Sequence, residues 1–209
     1  MIRWLKRLFR ESDRFDIPPC KRPPPKCRFR PFDAADFDAC TEIYRLNEPG
    51  RFPAGYFDYF SEWLRSRRDL VLVCEVAGEI RGFGGISMHR QPQTELATLN
   101  FGMVHPEHHK QGYGTVLLLA RLATLPPPDF QWAAFISTTG GSESFYERFG
   151  FIHVSRFADE QGIEFDQYRA RLYKQDWQAC HDALAAASTT LDTSDVTVPP
   201  ISNLQIRNA

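Results

Sequence analysis

The chain has 209 residues, 43% of them apolar and 13% aromatic, which is enough for one sizeable core and too little for two full domains. Its formal net charge of -1, from 25 Lys and Arg against 26 Asp and Glu, gives no electrostatic case for nucleic acid as a partner. Five cysteines without a Cys-x-x-Cys pair signal neither a disulfide framework nor a zinc site, and no apolar run approaches the roughly 18 residues of a membrane span, so a cytoplasmic protein without a metal is expected.

Residues 1–15 read as a short basic amphipathic helix. Ile2, Leu5, Leu8 and Phe9, with Trp4 beside them, share one face, and Arg3, Lys6, Arg7 and Arg10 share the other. Docking on the protein's own body or on a partner is the favoured role; an anionic membrane surface met through Trp4, Leu5 and Leu8 is the alternative. Residues 1–30 carry ten Lys or Arg against three acids, which leaves the rest of the chain at -8. Residues 16–27, with five prolines, read as an extended linker.

From Arg28 the pattern becomes regular. CRFRPF is a short alternating strand, and Ala35, Phe37, Cys40, Ile43 and Tyr44 fall at helical spacing. A second amphipathic helix follows in AGYFDYFSEWLRSRRD. Two strands then turn at Ala77-Gly78, and Gly82, Gly84 and Gly85 mark a bend or bulge in the second of them. The fourth strand, LATLNFGMV, puts Ala97, Leu99, Phe101 and Met103 on one face by strict alternation, and Thr98, Asn100, Gly102 and Val104 on the other. A helix from about Gly112 ends at Pro126–Pro128. The strand QWAAFIST, the short helix GGSESFYERFG closed by Gly150, and the strands FIHVSRF and EFDQYRARLYK complete a body over 28–174. Residues 175–187 form an appended helix, and the Ser, Thr, Asp and Pro content of the remaining tail to 209 predicts disorder.

The segment HPEHHKQGYGT joins the fourth strand to the longest apolar helix. A glycine-containing turn that opens a helix aims main-chain N–H groups and the positive helix end at an anion. Gly112 and Gly114 allow close approach, Lys110 adds charge, and Thr115 offers a hydroxyl. Neither a mononucleotide loop nor a dinucleotide fingerprint is present.

The order of elements and this motif resemble the GNAT superfamily of acyl-coenzyme A dependent N-acyltransferases, over about residues 28–174. The family signature is a strand ending in a Val-x-Pro-like run, then Arg or Gln, two residues, and Gly-x-Gly or Gly-x-Ala. Here it is Val104-His105-Pro106 followed by His109-Lys110-Gln111-Gly112-Tyr113-Gly114, with His109 in place of the usual Arg or Gln. A second family segment appears as Phe145-Tyr146-Glu147-Arg148-Phe149-Gly150-Phe151. The resemblance implies a mixed α/β fold: a central, mostly antiparallel twisted sheet flanked by helices and splayed between strands 4 and 5.

It further implies acetyl-CoA or another acyl-CoA as co-substrate. The pyrophosphate would be held by His109, Lys110, Gln111, Gly112, Tyr113, Gly114 and Thr115, and the pantetheine arm would pair with the main chain near Met103 and Val104. The acceptor would be a primary amine of a small molecule or a protein, with the chain a monomer or a homodimer. Tyr146 stands at the family's proton-donor position. The base is open: Thr98 and Asn100 occupy the inner face of the fourth strand, where some relatives carry glutamate, and Glu95 is the nearest carboxylate in sequence. Thr139 replaces an asparagine that often precedes the tyrosine. Glu48, Arg51, Phe52, Tyr56 and Tyr59, with Asp159 and Glu160, are candidates for the acceptor side. A non-catalytic acyl-CoA binding module and a peripheral membrane or interaction protein are the alternative readings.

Overall fold

The computed structural model describes residues 13–19, 25–48, 52, 55–91, 94–159, 162–193 and 196–200. Their eight strands form one open sheet: β1 (Arg28–Pro31), β2 (Leu70–Val76), β3 (Glu79–Gln91), β4 (Thr94–Val104), β5 (Gln131–Thr138), β6 (Ile152–Ala158), β7 (Glu164–Tyr173) and β8 (Thr190–Leu191), in the order β6-β7-β5-β4-β3-β2-β1-β8. Neighbours are antiparallel except β4 with β5 and β1 with β8.

Two helices cover one face, α1 (Phe37–Asn47) and α2 (Tyr56–Ser66). A capping box at Asp33 starts the turn into α1. Asp33 Oδ1 accepts from Ala35 N (3.0 Å), and Asp36 Oδ2 accepts from Asp33 N (2.8 Å). The stripe of Cys40, Ile43 and Tyr44 then packs on Phe60 and Leu64 of α2 and on Val71, Val73 and Phe83 of the sheet. The opposite face carries α3 (Tyr113–Ala123), α4 (Glu143–Glu147) and α5 (Lys174–Ala186). α3 is buried almost all round because α5 lies against it, with Trp177 Nε1 donating to Leu125 O (2.8 Å). β2 reads as an unbroken apolar run for the same reason: Leu70, Leu72 and Cys74 enter one core, Val71 and Val73 the other.

Besides register shifts between β2 and β3 and between β6 and β7, two irregularities of the sheet bear on the site. β4 and β5 pair only from Leu96 with Ala133 to Leu99 with Ile136, although β4 runs on to Val104 and β5 to Thr138, so the strands part and leave a slot. Within β4, Gly85 pairs with Asn100 and Phe83 with Met103, so Phe101 and Gly102 together oppose Gly84. This is a β-bulge, and Phe101 sits at φ +43. The extra residue corrects the alternation expected from sequence. Phe101 and Met103 belong to the α1/α2 side, while Ala97 and Leu99 stay in the core beneath α3.

The two ends of the chain also depart from the sequence reading. Residues 1–12 and 20–24, which hold most of the expected helix and much of the proline run, lie outside the described residues. Residues 13–19 run across the body as a strap. Phe15 is fully buried against Phe149 and Phe151, Phe15 N donates to Arg171 O (2.8 Å), and Asp16 N donates to Phe149 O (3.0 Å). In the tail that composition marks as disordered, Thr190 and Leu191 pair with β1 and Val198 is buried in the core. Open β1 backbone and an apolar side chain override the polar composition there. Residues 194–195 and 201–209 lie outside the described residues. No helix among the described residues is long and apolar enough to cross a membrane.

The strap is clasped by charge. Asp13 accepts from Arg169 Nε (2.7 Å) and Arg171 Nε (2.6 Å), with its own side chain 2% exposed. Burial pushes the Asp13 carboxyl up, and the two guanidiniums more than reverse this, holding it below its ordinary value. The Asp13→Asn variant is expected to lose about 3 kcal/mol, because a buried pair is broken while both arginines stay partly solvated. The wild-type clasp contributes fully above the unfolded carboxyl value of about 3.9 and is lost as pH falls through the lower, folded one. Denaturant melts of both proteins at pH 7 and pH 3 check this: the gap between them should shrink at the lower pH.

Candidate active site

The slot between β4 and β5 opens into a cleft of about 1330 Å³. Its walls are the diverging ends of the two strands, the turn into α3, the start of α4, and aromatic side chains from α2 and the β6–β7 hairpin.

The turn into α3 has the backbone of an anion cradle. Lys110 (φ +61) and Gly112 (φ +97) are both left-handed, on either side of Gln111. That alternation swings successive N–H groups to one side of the chain. Among the described residues, the N–H groups of Gly112, Tyr113 and Gly114 have no main-chain hydrogen-bond partner, whereas Thr115 N is taken by Gly112 O (3.0 Å). The helix dipole adds partial positive charge at the same place, and Lys110 and Arg148 line the cleft near it. Arg148 is held there by stacking on Phe145 and Phe149.

His109, the departure from the family signature, has a definite use. Its Nε2 donates to Val104 O (2.8 Å), tying the turn to the end of β4, and Asn47 Nδ2 donates to the same oxygen (3.0 Å). Val104 O is therefore occupied. The stretch of β4 beyond its last pair with β5 and ahead of that oxygen is Asn100 to Met103. Of the residues expected at the co-substrate, Met103, Val104, His109, Lys110, Gln111, Gly112, Gly114 and Thr115 line the cleft. Tyr113 does not; its ring packs against His108 and the core.

Tyr146 also lines the cleft, on α4, edge-on to Phe145 (5.0 Å) and Phe151 (5.5 Å) and 5% exposed. The turn before α4 is ordered by Thr138, whose Oγ1 accepts from Gly140 N (3.1 Å) and lies 2.9 Å from Ser142 Oγ. Thr139 lines the cleft too.

One buried carboxylate of the cleft is not revealed by sequence spacing. Glu95 lies away from the cleft, bound by Asp129 N (3.1 Å), Phe130 N (3.2 Å) and Arg90 (3.0 Å), where it ties β4 to the loop before β5. Asp69, just ahead of β2, lies in the cleft instead. Its Oδ2 accepts from Asn100 Nδ2 (2.6 Å) and Trp63 Nε1 (2.9 Å). Room for it comes from Gly85, where a β-carbon would stand 2.9 Å from Asp69 Oδ2 and 2.5 Å from the Trp63 ring. Burial pushes the Asp69 carboxyl up, and hydrogen bonds from Asn100, Trp63 and Ser87 reverse this only in part.

Among the candidates for the acceptor side, Phe52, Tyr56, Tyr59 and Asp159 line the cleft and Glu48 does not; Arg51 and Glu160 lie outside the described residues. Sequence spacing also hides one cluster, His105, Glu107 and His108, whose potential ligand atoms lie within 4.8 Å of one another. Two of its lone pairs are already engaged. His108 Nε2 lies 2.6 Å from Arg81 Nη1 and His105 Nδ1 accepts from Glu107 N (3.3 Å), so the cluster reads as a braced turn.

The model of the acetyltransferase (GNAT) family matches residues 37–151, more than half of the chain and both segments of the signature. The chain belongs to the GNAT acetyltransferase family. It therefore shares the fold of acyl-CoA dependent acetyltransferases. Solved GNAT structures have the same architecture at low identity. A GNAT-family protein from Desulfovibrio desulfuricans superposes with a TM-score of 0.54 at 18% identity, over 68% of this chain and 96% of that one. An aminoglycoside 6'-N-acetyltransferase in complex with coenzyme A gives 0.51 at 14%, over 68% and 96%. The N-acetylglutamate synthase of Neisseria gonorrhoeae, with coenzyme A and N-acetyl-glutamate, gives 0.52 at 20%, over 69% of this chain and 35% of that longer one. These likenesses are of fold. No curated protein matches this GNAT chain in sequence.

Proposed function

We propose that this protein transfers an acetyl group from acetyl-CoA to a primary amine. The observation that carries the reading is the continuity of the site: an anion cradle at Gly112–Gly114 opens directly onto the slot where β4 leaves β5. A pyrophosphate-bearing thioester is the chemistry this shape serves. The N–H groups of the α3 entry and Lys110 hold the phosphates, and the edge of β4 from Asn100 to Met103 guides the pantetheine arm as an added strand would.

The bulge at Phe101 takes main-chain groups out of the ladder beside the slot. An N–H freed there meets the carbonyl oxygen of the thioester and stabilises the charge that grows on it as the amine adds. Collapse of that adduct breaks the carbon–sulfur bond, and the departing thiolate takes a proton from the Tyr146 hydroxyl. A phenol suits this, since phenols are weaker acids than thiols and can give a proton to a departing thiolate.

Calorimetric titration with acetyl-CoA and with free coenzyme A tests the reading. Micromolar affinity for both, followed by thiol release in the presence of a primary amine, is the expected result. Failure of either molecule to bind would mean that the turn into α3 is only a turn. Binding without thiol release across amines of every charge class would mark a non-catalytic acyl-CoA module.

A further inference from the structure

An amine attacks only through its lone pair, so transfer to a protonated acceptor needs a base in the cleft. On β4, Thr98 and Asn100 accept no proton at neutral pH. Asp69 does, and its surroundings are unusual for a carboxylate. Its hydrogen-bond partners Trp63, Asn100 and Ser87 are all neutral, and among the described residues no Lys or Arg pairs with it. A buried carboxylate without a counter-ion is expensive to maintain, and an incoming cation relieves that expense.

The space around it is aromatic. Trp63 and Phe101 lie 4.6 Å apart, Tyr56 and Tyr59 stand 6.2 and 6.1 Å from Phe101, and Phe165 of β7 faces Tyr56 at 6.3 Å. Phe101 reaches this chamber only because the bulge turned it over. Two other acids of the cleft are engaged elsewhere: Glu62 is 3.9 Å from Arg68, and Asp159 Oδ1 accepts from Ile163 N. The chamber thus offers ring faces and edges for an apolar body, with the Asp69 carboxyl among them.

We infer that the acceptor is a primary amine carried on an apolar, ring-bearing body, seated among Tyr56, Tyr59, Trp63 and Phe101, and that Asp69 takes up the proton of its ammonium group. The inference rests on the acyl-transfer reading above. One proton moves from the ammonium nitrogen to the Asp69 carboxylate. The freed lone pair forms the nitrogen–carbon bond, collapse of the adduct breaks the carbon–sulfur bond with the Tyr146 proton going to the thiolate, and the nitrogen gives up its second proton to solvent. Asp69 then releases its proton to solvent and Tyr146 regains one from it. The titratable and charged groups facing Asp69 are Tyr59 and Glu62 from α2, Arg68 from the turn after it, Asp159 from the end of β6, and Arg121 of α3 behind the sheet at Gly85.

Wild-type protein is assayed for thiol release with 2-phenylethylamine, glutamate, a polycationic aminoglycoside and a lysine peptide, with acetyl-CoA affinity measured in parallel. 2-Phenylethylamine should give a kcat/KM at least roughly 10-fold above each of the others, the discrimination a filled apolar pocket supplies. The Asp69→Asn variant should lose roughly 100-fold or more in kcat/KM for that amine with acetyl-CoA affinity unchanged. Its rate should keep climbing with pH as free amine accumulates, where the wild-type rate levels off once Asp69 is ionised, above the ordinary aspartate range of about 3.9.

If acetyl-CoA binds but glutamate, the aminoglycoside or the peptide is the better acceptor, or none reacts, the inference is overturned while the co-substrate reading stands. A pH profile unchanged by Asp69→Asn overturns the role of Asp69. If acetyl-CoA does not bind, both fall together. Should Asp69→Asn fail to bind acetyl-CoA through misfolding, Phe101→Ala decides by the same panel: selectivity for 2-phenylethylamine should collapse, and its retention overturns the inference.

Discussion

The Gly112→Glu variant is expected to bind acetyl-CoA roughly 100-fold more weakly while the chain stays folded. Gly112 sits at φ +97, where any side chain is strained by about 1 kcal/mol, a cost that Gly112→Ala isolates. The larger part is charge. A carboxylate about 5 Å from a bound phosphate repels it by about 3 kcal/mol at the effective dielectric of a protein surface. That repulsion sets the roughly 100-fold loss of affinity, because the strain is carried by free and bound protein alike and shows in stability. Calorimetry gives the affinities, and thermal melts separate them from stability: the Ala variant should melt slightly lower and lose at most about 10-fold in affinity. A Glu variant that binds within about threefold of wild type would show that the α3 entry does not hold the phosphates.

The order of elements is legible in sequence because each strand is a short apolar run punctuated by Gly, Pro or Asp, and because α1 and α2 carry their stripes at helical spacing. The cradle is legible for a related reason: a left-handed entry to a helix favours glycine, and Gly112 supplies it. The bulge in β4 is legible only from its partner, where Gly82, Gly84 and Gly85 mark the irregularity of β3 opposite it. Strict alternation places Phe101 with Leu99, and a phenylalanine at φ +43 carries no sequence signature. Asp69 is hidden by topology: 31 residues separate it from Asn100, and only the registers of β2 on β3 and β3 on β4 bring the two together over Gly85.

Composition misleads at the ends for a different reason. A polar segment that meets an open strand edge can pair with it whatever its average hydropathy, as Thr190 and Leu191 do with β1. Local sequence sets which segments are strands. Long-range register then decides which polar groups meet, and the chemistry depends on the second.

The Tyr146→Phe variant is expected to lose roughly 100-fold in kcat, within the range of a positioned proton donor, with acetyl-CoA affinity changed less than about twofold. The substitution removes one oxygen and keeps the ring. The edge-on contacts with Phe145 and Phe151 survive, so α4 and the adjoining cradle should keep their places, with stability changed by less than about 1 kcal/mol. The loss should therefore fall on kcat and spare KM, the mark of an interaction made only as the thiolate departs. An acyl donor whose thiol is more acidic needs less help in leaving, and with it the variant should recover most of the difference. Two outcomes would oppose this. A parallel loss of acetyl-CoA affinity would make Tyr146 a packing residue of the cleft wall, and a deficit that ignores leaving-group acidity would move the proton donor to another group. Either result would leave the cradle and the slot in place, because those rest on the main chain of α3 and β4 and not on this hydroxyl.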